Sequence, residues 1–234
     1  YVGGKSRIDG VAEPMKLSSN ENALGAGEKA RAAFQAAVNG IHIYPDPLGG
    51  DLKRALARHH GIATANLLLG NGSHELLMQF AQVFAGPGDE VVASKFGFAV
   101  YALAAQAAGA ELRLAPAHAR EHAMPRGHDL AALLQAIGPR TKLVYLANPN
   151  NPTGTWFGAQ AFAEFLARVP DRVIVVVDEA YAEFVDAPDY ASALPLIARH
   201  PNLLVVHTLS KSRSLAGLRV GHAMGQAPLV EALD

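Results

Sequence analysis

Short aliphatic and β-branched runs alternate with Ala-rich, helically spaced stretches along most of the chain. The runs predict strands near Leu67–Leu69, Glu90–Ala93, Glu111–Leu114, Lys142–Leu146, Arg172–Val177, Leu203–His207 and Arg219–Met224. Between them, helical spacing predicts helices near Ser73–Ala85, Ala99–Ala108, Asp129–Ile137, Gly158–Arg168 and Tyr190–Arg199. Val173 to Val177 is apolar at every position, the pattern of a strand covered on both faces. Strands separated by helix-length segments imply βαβ crossovers, hence an α/β fold with a mostly parallel, seven-stranded sheet covered by helices. Such sheets gather ligands at the carboxyl ends of their strands, so the residues just after each run matter most.

Residues 1–44 read differently. Ser18-Ser19-Asn20-Glu21-Asn22 is loop-like, and one helix is expected over about Gly27–Val38. Tyr44-Pro45-Asp46-Pro47 then breaks the chain before another helix. This predicts an N-terminal arm over 1–44 and a sheet domain over 45–234. His118–His128, with Pro125 and Gly127, reads as an exposed loop. A helix starting near Pro228 is expected to be interrupted at Asp234, which points to a longer protein.

Composition narrows the function classes. Half of the 234 residues are hydrophobic and 18% are charged, enough apolar material for a sizeable core. Lys and Arg number 20 against 21 Asp and Glu, and no basic run offers a footprint for nucleic acid. No apolar stretch approaches the roughly 18 residues of a membrane helix. The absence of cysteine removes disulfides, thiolate nucleophiles and Cys-based zinc sites. Tyr1 to Ser6 shows no signal-peptide pattern, which makes the cytoplasm the expected location.

Candidate chemistry sits at the strand ends. Leu69-Gly70-Asn71-Gly72-Ser73-His74-Glu75 is a glycine turn between a strand and a helix. Free N–H groups at a helix start bind anions, and Gly lets a phosphate approach closely. The same residues also read as an ordinary turn with Ser73 as N-cap. Asn148-Pro149-Asn150-Asn151-Pro152-Thr153-Gly154 is a stiff turn that fixes an amide side chain at a strand end. Asp178-Glu179-Ala180-Tyr181 places a carboxylate after a fully apolar strand, where it needs a cation or donor. A Walker-B role for Asp178 fails, because the only Gly-Lys-Ser, Gly4-Lys5-Ser6, follows no strand. A protonated ring nitrogen is the better partner. Thr208-Leu209-Ser210-Lys211-Ser212-Arg213-Ser214-Leu215-Ala216-Gly217 sets a lysine among hydroxyls, where desolvation can make a nucleophilic amine. Arg219 follows eight residues later and by itself reads as a surface residue. His118, His122 and His128 lack the spacing of a metal motif, so no metal is assigned, and His59-His60 is placed near a helix end.

Together these runs resemble the fold-type-I pyridoxal-phosphate aminotransferases, most closely their histidinol-phosphate aminotransferase branch. The likeness covers about Ser19 to Gly221, with the motifs in order. It implies a cofactor, pyridoxal 5'-phosphate, bound covalently by Lys211, which would also act as general base. It implies that Asp178 keeps the ring nitrogen protonated, and that Asn151 and Tyr181 bond the ring oxygen. Gly72, Ser73 and His74 would form the phosphate cup, closed by Thr208, Ser210 and Arg219. Phe96 would stack on the ring, and Tyr44 would reach the phosphate of a neighbouring subunit, which implies a homodimer. The partners implied are a small-molecule amino donor and a 2-oxo acid such as 2-oxoglutarate. Aromatic transamination, threonine-phosphate decarboxylation and a non-catalytic cofactor sensor are the alternatives. His74 stands where the family is commonly acidic, and Lys95 beside Phe96 is unusual. The family's carboxylate-binding arginine lies in a C-terminal small domain with no counterpart before Asp234.

Overall fold

Alternation within the apolar runs decides how the sheet is covered. The computed structural model describes residues 10–12 and 15–234. Seven strands form one sheet: β1 (Leu67–Gly70), β2 (Glu90–Ser94), β3 (Glu111–Ala115), β4 (Thr141–Ala147), β5 (Ile174–Asp178), β6 (Leu203–Thr208) and β7 (Gly221–Met224). Their order is β1-β7-β6-β5-β4-β2-β3. Neighbours from β6 through β3 run parallel, whereas β7 is antiparallel to both β6 and β1. The expected mostly parallel α/β sheet is therefore present.

Among the described residues seven α-helices accompany it: α1 (Glu28–Ala37), α2 (Gly50–His60), α3 (Ser73–Phe84), α4 (Ala99–Ala108), α5 (Leu130–Ala136), α6 (Ala159–Leu166) and α7 (Ala227–Glu231). Val144, Leu146, Val175, Val177 and Val205 pack with Leu56 of α2, Leu133 of α5 and Phe162 of α6. Their neighbours Leu143, Tyr145, Val176, Leu204 and Val206 face the other way, onto Leu77 and Phe80 of α3 and Tyr101 of α4. One sheet thus divides two cores, as a period of two residues requires. Local chemistry marks the helix ends. Asp129 caps α5 by accepting from Ala131 and Ala132 N–H at 3.0 Å. Gly61 ends α2 in the left-handed region at φ 67°. Among the described residues no helix is long and apolar enough to cross a membrane.

Several expectations are corrected. Tyr190–Arg199 is not an α-helix but a 3-10 turn over Leu194–Ala198. Pro195 supplies no N–H, and Glu179 takes the Ser192 hydroxyl and the Ala193 N–H, each at 2.6 Å. The last strand starts at Gly221 rather than Arg219, because Arg219 is left-handed at φ 54°. The fifth strand likewise starts at Ile174, after Val173 N–H closes a turn onto the Pro170 carbonyl at 2.9 Å. Ser73 is the first residue of α3, and Gly72 is its N-cap. The helix near Pro228 spans Ala227–Glu231. The 118–128 loop is mostly exposed, but His128 turns inward and its Nε2 accepts from Ala147 N–H at 3.0 Å. Over residues 15–44, α1 buries nothing, and Met15, Leu17, Leu24, Ile41 and Tyr44 are all exposed. Lys5, Ser6 and the rest of 1–9 lie outside the described residues.

Candidate active site

The buried strand β5 ends on Asp178, so its carboxylate enters the protein with little water. Oδ1 accepts from Ala180 N–H at 3.1 Å, and Oδ2 faces the Tyr101 hydroxyl at 3.5 Å. Tyr101 is itself fixed by stacking on Tyr145, with ring centroids 4.9 Å apart. Among the described residues no ion pair reaches Asp178. Burial therefore pushes its carboxyl up to about 6, against the smaller opposing pull of the Ala180 N–H.

Lys211 stands on the loop that follows β6. That loop is closed by Leu209 N–H to the Val220 carbonyl and Leu215 N–H to the Leu209 carbonyl, both at 3.0 Å. Its Nζ donates to the Ser19 carbonyl at 2.8 Å and lies 5.7 Å from the Tyr181 ring centre. Burial lowers the ammonium below the usual lysine range; Arg219 and Lys16 act in the same sense, and Glu21 and Asp178 oppose them. The Tyr181 hydroxyl accepts from Asn20 Nδ2 at 2.9 Å. The N-terminal segment therefore crosses over the lysine and the tyrosine together.

The Asn-Pro turn is held by its own amides. Asn148 exchanges hydrogen bonds with the Phe157 backbone, both at 3.1 Å. Asn150 Nδ2 donates to the Phe96 carbonyl at 2.9 Å and to Thr153 Oγ1 at 2.7 Å. Asn151 is left half-buried on a cleft of about 340 Å³, lined also by Asn20, Asn150, Trp156, Tyr181 and Phe184.

The glycine turn meets the end of the lysine loop. Gly72 has φ 83°, and a Cβ there would collide with the Arg219 guanidinium. Arg219 donates to the Asn71 carbonyl at 3.2 Å and to Ser210 Oγ at 3.4 Å. Thr208 Oγ1 donates to Ser210 Oγ at 3.0 Å and accepts from Ser210 N–H at 3.1 Å. Hydroxyls, a guanidinium and the start of α3 thus converge on one spot, the makings of an anion site. Arg219 is part of this cluster, not the lone surface residue that its position alone implied.

Asn151 and Tyr181 line the cleft, Lys211 lies beside the Tyr181 ring and within electrostatic reach of Asp178, and Gly72, Ser73, Thr208, Ser210 and Arg219 meet at the turn. His74 lies on the first turn of α3 and is exposed. Phe96 is half-buried, with the Arg126 guanidinium 5.4 Å and the Lys95 ammonium 5.8 Å from its ring. Tyr44 is 98% exposed and joins none of the site's described hydrogen bonds. Asn20 and Tyr101 were not foreseen. Asn20 adopts φ 50°, a conformation that Asn tolerates and that a polar loop could have flagged.

The model for the family described as aminotransferase class I and II matches residues 12–234. The chain belongs to the class I and II aminotransferases. It is 46% identical, over its whole length, to a histidinol-phosphate aminotransferase of Pseudomonas aeruginosa. It is 47% identical, over 96% of its length, to a histidinol-phosphate aminotransferase of Ralstonia nicotianae. The chain spans 64% and 58% of the lengths of these two relatives. The crystal structure of the Sinorhizobium meliloti histidinol-phosphate aminotransferase, in complex with pyridoxal-5'-phosphate, superposes with a TM-score of 0.85 at 32% identity. That match covers 92% of this aminotransferase chain and 56% of the other.

Proposed function

We propose that this chain is the cofactor-binding part of a pyridoxal-phosphate-dependent aminotransferase that exchanges amino groups between histidinol phosphate and 2-oxoglutarate. The carrying observation is the buried, cation-free Asp178 carboxylate within electrostatic reach of an amine depressed by burial, Lys211. The residues fit the cofactor. A carboxylate raised to about 6 by burial is relieved by a cationic ring nitrogen, and Gly72, with no side chain, lets the Arg219 guanidinium close on the turn beside Ser210. When bound, the cofactor supplies an aldehyde that captures amines and a ring that withdraws electrons.

This chain's residues do the rest. Asp178 holds the proton on the ring nitrogen. Lys211 carries the cofactor covalently and, released from it, takes the proton from the substrate Cα through Nζ. Burial makes that amine available nearer neutral pH than a solvated lysine. Asn151 and Tyr181 bond the ring oxygen. The amides of Gly72, Ser73 and His74, with Thr208, Ser210 and Arg219, hold the phosphate. Phe96 covers the ring. Residues 1–44 act as an arm and 45–234 as the cofactor domain, with Tyr44 serving the site of a second copy in a homodimer. The cytoplasm is the proposed location, since a phosphorylated amine and a dicarboxylic oxo acid are water-borne; cell fractionation checks it.

Borohydride reduction of the full-length protein followed by peptide mapping should place the pyridoxyl group on Lys211. Finding it on Lys95 or Lys142 overturns the assignment. With matched 2-oxoglutarate, histidinol phosphate should be the preferred donor over aromatic amino acids and threonine phosphate. Preference for either competitor would overturn the substrate but not the cofactor chemistry.

A further inference from the structure

A second cavity of about 200 Å³ lies where the end of α2 meets β6 and β7, and Leu56, His60, His207 and His222 line it. His60 is the last residue of α2. His207 and His222 sit opposite each other in the antiparallel register of β6 and β7, so both project from the same face of the sheet. The three rings stand 5.0 to 5.5 Å apart, centre to centre. One nitrogen from each lies within 4.8 Å of the others, and His60 Nε2 and His222 Nε2 are 2.9 Å apart.

The chemistry around the cluster is that of a ligand set. Behind His207 stands Glu179, a fully buried carboxylate that accepts from Ser192 Oγ, Ala193 N–H and, at 2.9 Å, His207 Nε2. A carboxylate only accepts, so Nε2 carries the hydrogen and the Nδ1 lone pair of His207 is left for another partner. A carboxylate behind a histidine is how proteins orient an imidazole that binds metal. An uncharged imidazole offers the ring-nitrogen lone pair that coordinates a metal. Glu183 and Arg213 line the same cavity with opposite charges, and Glu179 adds a negative charge one step behind the ligands. Three imidazoles without a ligating carboxylate exclude a hard cation such as Ca²⁺ or Mg²⁺ and suit Zn²⁺ or its neighbours.

We propose that His60, His207 and His222 bind one divalent transition-metal ion of the Zn²⁺ class, with the fourth position open to the cavity. Tetrahedral geometry with Zn–N distances of about 2.0–2.1 Å spaces the nitrogens about 3.3 Å apart, so His60 and His222 part slightly from 2.9 Å while the widest pair closes from at most 4.8 Å. The ion would tie the end of α2 to the β6–β7 pair, four residues before Lys211. None of the three ligands belongs to the phosphate cup, although Thr208 of the cup also lines the cavity, and the site does not rest on the proposed reaction.

The test uses the full-length protein with its cofactor retained, freed of metal by dialysis against a chelator, and Zn²⁺ or Co²⁺ as the probe. Equilibrium dialysis should give one ion per chain, and Co²⁺ should develop the visible bands of a tetrahedral site. A hundredfold excess of Zn²⁺ over its Kd should raise Tm by about 5–10 °C. His60→Gln and His222→Phe should each abolish the Co²⁺ bands, and Glu179→Gln should weaken binding by about 10–100-fold. Should His222→Phe not fold, His60→Gln decides, since His60 is only half-buried, at the last position of a helix. No stoichiometric uptake, or bands that survive in His60→Gln, overturns the proposal; the second result would assign the ion to exposed rings such as His118 and His122.

Discussion

Two buried titratable side chains pull the stability of the protein in opposite directions as pH changes. Asp178 has a folded-state pKa of about 6, above its ordinary 3.8, so the cofactor-free fold loses stability as pH rises through that window. Above pH 6 the whole penalty of about 3 kcal/mol is in place. Asp178→Asn should therefore raise the urea midpoint of the cofactor-free protein at pH 7. The same change should cut transamination about 10–100-fold or more, because an amide cannot keep the ring nitrogen protonated. Near wild-type turnover would reduce Asp178 to a structural role. His128 works the other way. Its pKa of about 4 lies below the ordinary 6.5, so its stabilisation is complete above 6.5 and is lost as pH falls toward 4. His128→Gln keeps an acceptor for the Ala147 N–H and should shrink the stability lost between pH 7 and 4 by about 3 kcal/mol. Urea unfolding at the two pH values gives the difference directly.

At the scale of elements, the glycine turn before α3 joins a backbone need to a chemical one. Gly72→Ala would place a methyl at φ 83°, against the Arg219 guanidinium. The strain is worth about 1–3 kcal/mol. Because the displaced group is one that closes the anion cup, cofactor affinity should fall further than Tm does. Fluorescence titration with pyridoxal phosphate beside a melting curve separates the two, and an equal loss in both would make Gly72 purely structural. Elements of this kind were legible in the sequence where apolar residues run consecutively, as in Val173–Val177, because burial on both faces leaves no other pattern. Tyr190–Arg199 misled because its Ala and Leu content mimics a helix, while what shapes it is the Glu179 carboxylate, distant in sequence. Asn20 on Tyr181 and the histidines at 60, 207 and 222 were invisible for the same reason. No local spacing encodes a contact across 160 residues. The lysine, aspartate and glycine motifs were readable because each lies within a few residues of a strand end.

On the scale of the whole molecule, residues 17–48 present apolar side chains that the described core does not cover. Leu17, Leu24, Ile41, Ile43, Tyr44 and Leu48 are all more than 60% exposed, apolar area of the kind that a second copy would bury. Sedimentation of the full-length protein should show a dimer, and deletion through Leu48 should give a monomer that binds cofactor less tightly. A monomer before deletion would remove Tyr44 from the proposed site.

Chain order adds a consequence of timing. β1 leads into the glycine turn, yet its one partner in the sheet is β7. A ribosome working at about 5–20 residues per second delivers Met224 some 8–30 s after Gly70. Until β7 emerges β1 has no neighbour in the sheet, and Arg219 is made only five residues before Met224. The nascent chain can assemble β2 to β5 and bury Asp178, but it lacks the arginine proposed to close the phosphate cup. Capture of the cofactor is therefore an event of the finished sheet, so the vitamin cannot serve as a template for the early steps of folding.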